Sequence, residues 1–210
     1  MPHPTTRPVI FLTFADAEDQ ARLPQLREES KALYELFLPL KKAGQVDLLR
    51  EHHTDNETIP KRLTAFHNQI AIFHYGGHAD GQHLMFENTK GRAQGLGELL
   101  GLQKGLQLVF LNGCETQEQA RQYVEAGLPA VIATTREVPD EDALYFATCF
   151  YQALADRLSL REAFKTAGGA LKARSDQYQE KQDEIVTSRG LKLSGHLDTD
   201  SPWRLYIAED

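Results

Sequence analysis

IAIFHYGGHADG, residues Ile70–Gly81, has the pattern of a buried strand that ends in two glycines and a histidine. Its first four residues are branched, aromatic or small apolar ones, as is typical of a strand covered on both faces. Glycine tolerates the conformations that a sharp turn or a close backbone approach requires. A chain that leaves a buried strand in this way and then presents an imidazole indicates either a simple turn or the edge of an active site.

Comparable apolar segments recur along the chain and alternate with amphipathic ones. Strands are predicted over residues 7–15, 46–52, 70–78, 106–114, 129–138 and 202–210, with a small strand or hairpin arm over 83–88. The segment after the first strand has apolar residues at helical spacing, namely Leu26, Leu33, Leu36, Phe37 and Leu40. Strands that alternate with helices predict an α/β sandwich with a mainly parallel central sheet.

The composition is that of one soluble domain. The chain has 210 residues, of which 41% are hydrophobic and 25% charged, which is enough for one core. The formal net charge of -7 gives no sign of the basic surface that nucleic-acid binding requires, so no nucleic-acid partner is expected. The only cysteines, Cys114 and Cys149, make no disulfide framework. Neither a signal-peptide pattern nor an apolar run of about 18 residues is present, so we expect a cytoplasmic protein without a membrane partner.

The chain contains no internal linker and no repeat. We therefore expect a single domain over residues 1–210. A strand-like segment at the very end makes the chain compatible with one module of a longer polypeptide.

Two reactive side chains end neighbouring predicted strands. The third strand ends at His78, and the fourth, LQLVFLNGC, ends at Cys114. The carboxyl ends of parallel strands meet at one edge of the sheet, where α/β folds place their sites. A thiol beside an imidazole is a nucleophile with a base, and the backbone N–H groups of Ala79 and Cys114 are candidates for binding an oxyanion. Gly113 permits a sharp turn before the thiol. The alternative is a buried structural cysteine near an unrelated histidine.

Acidic residues follow the fifth predicted strand, at Glu137, Asp140 and Asp142. A carboxylate beside the nucleophile would hold a substrate arginine or lysine by a charge-assisted hydrogen bond. Alternatively, Asp140 is the N-cap of the next helix, and Asp140 and Asp142 are acids that the helix dipole favours at its start. Arg136 stands beside these acids and is the main objection to a pocket for basic residues.

No cofactor and no metal ion are predicted. His74 and His78 have the spacing of a metal-binding pair on a helix, but on a strand residues four apart are separated by about 13 Å. The segment GLGELLG lacks the preceding strand and following helix of a dinucleotide-binding loop.

Three segments of the chain resemble the CHAT domain family, the caspase-like cysteine peptidases related to separase: HYGGHADG, LQLVFLNGCETQ, and YVEAGLPAVIATTREVPDEDALYFATCFYQALADRLSLREAF. The resemblance covers Val9 to about Ala170 and again the terminal PWRLYI. It implies a caspase-hemoglobinase fold, a three-layer sandwich, with a Cys–His dyad carried by Cys114 and His78. It also implies an acid near the fifth strand that selects a basic residue. Ala79 stands where glycine is commoner, and it still supplies an N–H group.

Two classes of function remain open. One is a cysteine endopeptidase that cleaves a protein or peptide substrate after a basic residue, regulated by a module in cis or in trans. The other is a catalytically silent caspase-like scaffold that binds partners, with another thiol-dependent acyl transfer as a third alternative. The presence of both Cys114 and His78 favours the peptidase, because a scaffold needs neither. A regulator is expected to act on the loops over residues 80–94 or 137–142.

Overall fold

A central sheet lies between two layers of helices in the structure, a computed structural model that describes residues 7–16, 22–87, 89–175, 178, 185–187 and 201–208. The strands of the described residues are β1 (Val9–Ala15), β2 (Asp47–Glu51), β3 (Ile70–Gly77), β4 (His83–Phe86), β5 (Thr89–Arg92), β6 (Leu108–Asn112), β7 (Ala130–Thr134), β8 (Ile185–Thr187) and β9 (Trp203–Ile207). The helices are α1 (Leu26–Lys42), α2 (Thr58–Ala65), α3 (Ala93–Gly101), α4 (Gln117–Glu125), α5 (Asp140–Ala155) and α6 (Leu160–Arg174).

The central sheet has seven strands in the order β2-β1-β3-β6-β7-β9-β8. Strands β2, β1, β3, β6 and β7 all run parallel to one another, whereas β9 runs antiparallel to β7. Outside this sheet, β4 and β5 form an antiparallel hairpin. The mainly parallel sheet and the hairpin arm that the sequence predicts are confirmed.

Side chains of β1, β6 and β7 alternate between two hydrophobic cores, one on either face of the sheet. In β1, all seven residues are buried, and Val9 and Phe11 enter one core while Ile10 and Leu12 enter the other. The first core contains residues of α2, α3 and α4, and the second contains residues of α1, α5 and α6. The predicted three-layer arrangement follows from this alternation, because a strand covered on both faces must be apolar on both.

The helices bury one face each. In α1, Leu26, Leu33 and Phe37 are buried, as their spacing predicts. Helix α6 begins with a capping box, in which the Ser159 side chain accepts from the Glu162 N–H and the Glu162 carboxylate accepts from the Ser159 N–H. Among the described residues, no helix is both long enough and apolar enough to cross a membrane.

The strand order decides which loops meet. Strands β3, β6 and β7 are consecutive neighbours in the sheet. Because all three run in parallel, their carboxyl ends lie side by side at one edge. His78 directly follows β3, Cys114 comes two residues after β6, and the loop over 135–139 joins β7 to α5.

Candidate active site

A cavity of about 270 Å³ lies at the carboxyl edge of β3, β6 and β7. It is lined by both His78 and Cys114 and by two of the three predicted acids, Glu137 and Asp140. Glu29 of α1, which the sequence analysis does not single out, also lines it. The tertiary structure therefore gathers the candidate nucleophile, the candidate base and several carboxylates around one space.

Gly113 allows the two strand ends to touch. A β-carbon added at this position would lie 2.8 Å from the carbonyl oxygen of Gly77 and 2.9 Å from the β-carbon of Ala79. Those distances leave no room for a side chain, so the loop after β6 packs directly on the loop after β3. The sequence predicts that Gly113 permits a sharp turn. In the structure, glycine is required there because a side chain would collide with the loop after β3.

The turn that carries Cys114 is held by two threonines. The Thr134 hydroxyl donates to the carbonyl oxygen of Gly113, and the Thr134 N–H donates to the Thr116 hydroxyl at 2.9 Å. Within this turn Glu115 has a φ of 54°, a left-handed conformation that is uncommon for a residue other than glycine. The backbone beside the thiol is thus held in one conformation by side chains from β7 and from the start of α4.

Hydrogen bonds from the buried Tyr75 hydroxyl hold the loop that carries His78. The buried Tyr75 hydroxyl lies 2.7 Å from the His78 carbonyl oxygen and 2.6 Å from that of Met85. The Met85 N–H also donates to the His78 carbonyl, at 2.9 Å. Gln119 of α4 ties the same loop to the helix after Cys114, because its side-chain amide donates to the Asp80 carbonyl at 2.6 Å. A hydrogen bond therefore connects the loop that carries His78 to the helix that follows Cys114.

The N–H of Ala79 points away from the β4–β5 hairpin. Ala79 faces Leu84 in an antiparallel bridge whose hydrogen bonds are made by the residues on either side, Asp80 N–H to His83 carbonyl and Met85 N–H to His78 carbonyl. In such a pair the facing residues direct their own N–H and carbonyl groups outward. The Ala79 nitrogen lies 3.5 Å from the position of a β-carbon on Gly113, so it borders the turn that carries the thiol.

The surroundings of Cys114 disfavour its thiolate. Burial raises the pKa of the Cys114 thiol, and the nearby carboxylates of Glu137, Glu115 and Asp140 raise it further. A backbone hydrogen bond from Val138 acts in the opposite direction but does not outweigh them. In this state of the protein, the thiol is more strongly protonated at neutral pH than an ordinary cysteine.

The rate at which iodoacetamide alkylates Cys114 is expected to keep rising at pH values where an ordinary thiol is already fully ionised. The reason is that only the thiolate reacts and the pKa of Cys114 is raised. Replacing Glu137 by glutamine removes one of the charges that raise the thiol pKa, so alkylation at a fixed neutral pH should become faster. The measurement is the rate of modification of the Cys114 peptide by mass spectrometry. Glu118→Gln, on the exposed surface of α4, is the matched control. Equal rates for Glu137→Gln and the wild type would contradict this electrostatic account.

Asp140 joins the starts of two helices. Its carboxylate accepts a hydrogen bond of 2.7 Å from the N–H of Gln25, the residue that precedes α1. Helix α5 has no side-chain cap of its own, so N-capping by Asp140 is not what the structure contains. Burial raises the pKa of Asp140, and the Glu29 carboxylate adds to this, whereas His78 and the Gln25 hydrogen bond lower it.

Asp142 does not belong to the cavity, which corrects its assignment to a substrate pocket. Its carboxylate accepts a 2.7 Å hydrogen bond from the Tyr178 hydroxyl, and the residue is only 9% exposed. Two residues correspond to about 200° of helix, so Asp140 and Asp142 point in nearly opposite directions from α5. Glu137 is exposed at the rim of the cavity, and Arg136 is exposed but does not line it.

A buried polar cluster beneath the cavity was missed by the sequence analysis. Glu29 is 3% exposed and His74 is fully buried. The Asn112 side-chain amide donates to Glu29 Oε1 at 2.7 Å, and Trp203 Nε1 donates to Asn112 Oδ1 at 3.4 Å. His74 Nδ1 lies 3.2 Å from the Tyr151 hydroxyl. The sequence does contain an indication of this cluster. Glu29 is three residues after Leu26 and four before Leu33, so an acid interrupts the apolar face of α1.

The two other histidines close to His78 in the sequence, His74 and His83, contact other residues. His74 lies in the buried cluster, and His83 Nδ1 lies 3.1 Å from Asp80 Oδ1. In the described part of the chain, no group of three or more His, Cys, Asp or Glu side chains is arranged to hold a metal ion.

Comparison with solved structures identifies the fold. The chain is similar to the Drosophila initiator caspase Dronc, with a TM-score of 0.55 and 16% identity over 84% of this chain and 75% of that chain. It is also similar to a secreted C11 cysteine protease from Bacteroides thetaiotaomicron, solved with an irreversible peptide inhibitor, with a TM-score of 0.53 and 12% identity over 79% of this chain and 59% of that chain. The fold is therefore caspase-like, as expected.

Comparison with family models identifies the family. The CHAT domain model matches residues 2–199, and the chain belongs to the CHAT domain family. A search of curated protein sequences found no significant match.

Proposed function

We propose that this protein is a cysteine endopeptidase with Cys114 as nucleophile and His78 as general base and acid. The observation that carries the proposal is the shared cavity: both residues line it, from adjacent parallel strands whose loops touch at Gly113. A structural cysteine and an unrelated histidine have no need of a common cavity. Membership of the CHAT family and the caspase-like fold support the same class of chemistry.

The proposed reaction has two steps. His78 accepts the proton of the Cys114 thiol, and the thiolate attacks the carbonyl carbon of the scissile peptide bond. The N–H groups of Ala79 and Cys114 donate to the oxyanion, and the histidine then protonates the leaving amine as the C–N bond breaks. In the second step His78 removes a proton from water, which attacks the thioester and releases the carboxylic acid and the thiol.

The charge of the cavity supports a preference for a basic residue on the amino side of the cleaved bond. Glu29, Glu137 and Asp140 all line the cavity, and its described lining includes no lysine or arginine. A guanidinium or ammonium group would compensate these carboxylates through charge-assisted hydrogen bonds. Arg136, whose positive charge was the main objection to a pocket for basic residues, does not line the cavity.

Regulation by another module is part of the proposal. The pKa of Cys114 is raised by burial and by acids of the loop after β7, so the resting state holds the thiol protonated. A partner, in cis or in trans, that moves the segment over 137–142, which is the end of the loop after β7 and the first turn of α5, would change both influences. The segment over 80–94, which contains the β4–β5 hairpin beside His78, is the second candidate for such control.

Covalent labelling tests the proposed function. A peptidyl acyloxymethyl ketone with lysine or arginine at the reacting position is expected to modify Cys114 faster, by at least about tenfold, than the same peptide with aspartate. The measurement is the labelled fraction of the Cys114 peptide over time. If no peptidyl ketone reacts although iodoacetamide alkylates Cys114, the protein is a catalytically silent scaffold. A preference for aspartate would overturn the basic specificity alone.

A further inference from the structure

We propose that Glu29 is the specificity-determining residue of this site, the buried carboxylate that receives the charged head of a substrate lysine or arginine. The inference rests on the proposed peptidase function and adds a residue that lies 85 positions before the nucleophile in the sequence. Four observations on the molecule carry it: the burial of Glu29, its hydrogen bonds, the charge around it and the shape of the cavity.

Glu29 combines deep burial with access to the cavity. The residue is only 3% exposed, yet it lines the same cavity as Cys114. It comes from the first turn of α1, where the helix dipole favours a carboxylate. By contrast, Glu137 is exposed at the rim. A charge at the rim is screened by solvent, whereas a buried charge acts in a lower dielectric and discriminates more strongly.

The hydrogen bonds of Glu29 fix the carboxylate but leave half of it for a ligand. Oε1 accepts the 2.7 Å hydrogen bond from the Asn112 amide. His74 Nε2 is 3.2 Å from the same oxygen, yet it forms no aligned hydrogen bond with it or with another described residue. No protein group in the described part of the chain donates to the other oxygen, Oε2. Because Glu29 lines the cavity, Oε2 is the oxygen left to meet a substrate ammonium or guanidinium group.

Gly76 provides the space in which Oε2 lies. A β-carbon added at Gly76 would be 3.1 Å from that oxygen and 2.9 Å from the ring of Phe14. The second glycine of the strand end, Gly77, meets a different part of the fold. Gly76 therefore accommodates the Glu29 carboxylate beside the strand end that leads to His78.

The remaining lining of the cavity matches the shape of a basic side chain. Leu23, Leu26 and Val138 line the cavity together with the carboxylates. Apolar walls suit the methylene stem of lysine or arginine, and the carboxylates suit its charged head. Asp140 lies close enough for the Glu29 charge to contribute to its raised pKa, so the two acids share one region that a cation would neutralise.

The test compares two peptidyl acyloxymethyl ketones that differ only in lysine or norleucine at the reacting position. In the wild type, we expect Cys114 to react faster with the lysine probe. Glu29→Gln keeps an oxygen for the Asn112 hydrogen bond but removes the charge, so the lysine-to-norleucine rate ratio should fall by at least about tenfold. Glu28→Gln, one residue earlier on the exposed side of α1, is the matched control and should keep the wild-type ratio.

A second variant keeps the proposal testable if Glu29→Gln does not fold, as judged by thermal melting. Glu29→Asp retains the charge but withdraws it by one methylene, so reaction should shift from the lysine probe towards a longer arginine probe. Wild-type ratios in the folded variants would overturn the role of Glu29 while the peptidase proposal stands. Absence of reaction with every peptidyl probe in the wild type, despite alkylation of Cys114 by iodoacetamide, would overturn both.

Discussion

Replacing Cys114 by alanine is expected to abolish all labelling by peptidyl acyloxymethyl ketones and all peptide cleavage. Replacing His78 by alanine should slow labelling by roughly 10²–10⁴-fold, the usual contribution of a positioned general base. The reason is the raised pKa of Cys114, which leaves little thiolate at neutral pH unless an adjacent base accepts the proton. The measurement is the second-order labelling rate with a lysine probe, resolved by peptide mass spectrometry.

Matched controls for these two variants exist in the chain. Cys149 is the other free cysteine and is partly exposed on α5, and His67 is exposed in the loop after α2. Cys149→Ala and His67→Ala should label at the wild-type rate. The dyad assignment is wrong if His78→Ala labels as fast as His67→Ala, or if the label of the wild type is found on Cys149.

Replacing Gly77 by alanine is expected to destabilise the fold by about 3 kcal/mol or more. Gly77 has a φ of 154°, which side-chain-bearing residues rarely adopt, and a β-carbon there would lie 2.6 Å from the Ala15 carbonyl oxygen and 2.8 Å from the Tyr75 hydroxyl. Backbone strain and a clash with backbone act together at this one position. For a chain of this size the melting temperature should fall by roughly 6–12 °C.

Gly81 provides the control for this prediction. It belongs to the same HYGGHADG segment, but a β-carbon there would meet nothing within 4 Å. Gly81→Ala should therefore melt close to the wild type, as measured by thermal unfolding. If Gly77→Ala and Gly81→Ala melt together, the steric account of the glycine pair fails.

Most of the fold could be predicted because it depends on local patterns. Apolar segments separated by helical ones predict an α/β sheet, and β1, β3, β6 and β7 are found where such segments lie. Right-handed crossovers then place β6 and β7 beside each other. The meeting of His78 and Cys114 at one cavity follows from the same rule, since each side chain stands at the end of a parallel strand.

The details of the cavity could not be predicted in this way. Asp140 and Asp142 are both acids in the first turn of α5, and only the rotation of that helix against the sheet directs one to the cavity and the other to Tyr178. Glu29 and Asn112 are 83 positions apart, and nothing local indicates that they share a hydrogen bond. Strand β5 was not predicted, because TKGR has little apolar character and, among the described strands, pairs only with β4.

The sequence by itself determined the order of strands and helices, the parallel core of the sheet and the edge at which the reactive residues emerge. Those properties follow from side-chain periodicity and chain connectivity, which act over a few residues at a time. Only the tertiary structure decided that Gly113 serves by its missing side chain, that Asp142 leaves the cavity and that Glu29 enters it. Each of these depends on how elements distant in sequence pack against one another, and close packing leaves room for only one arrangement of the side chains between them.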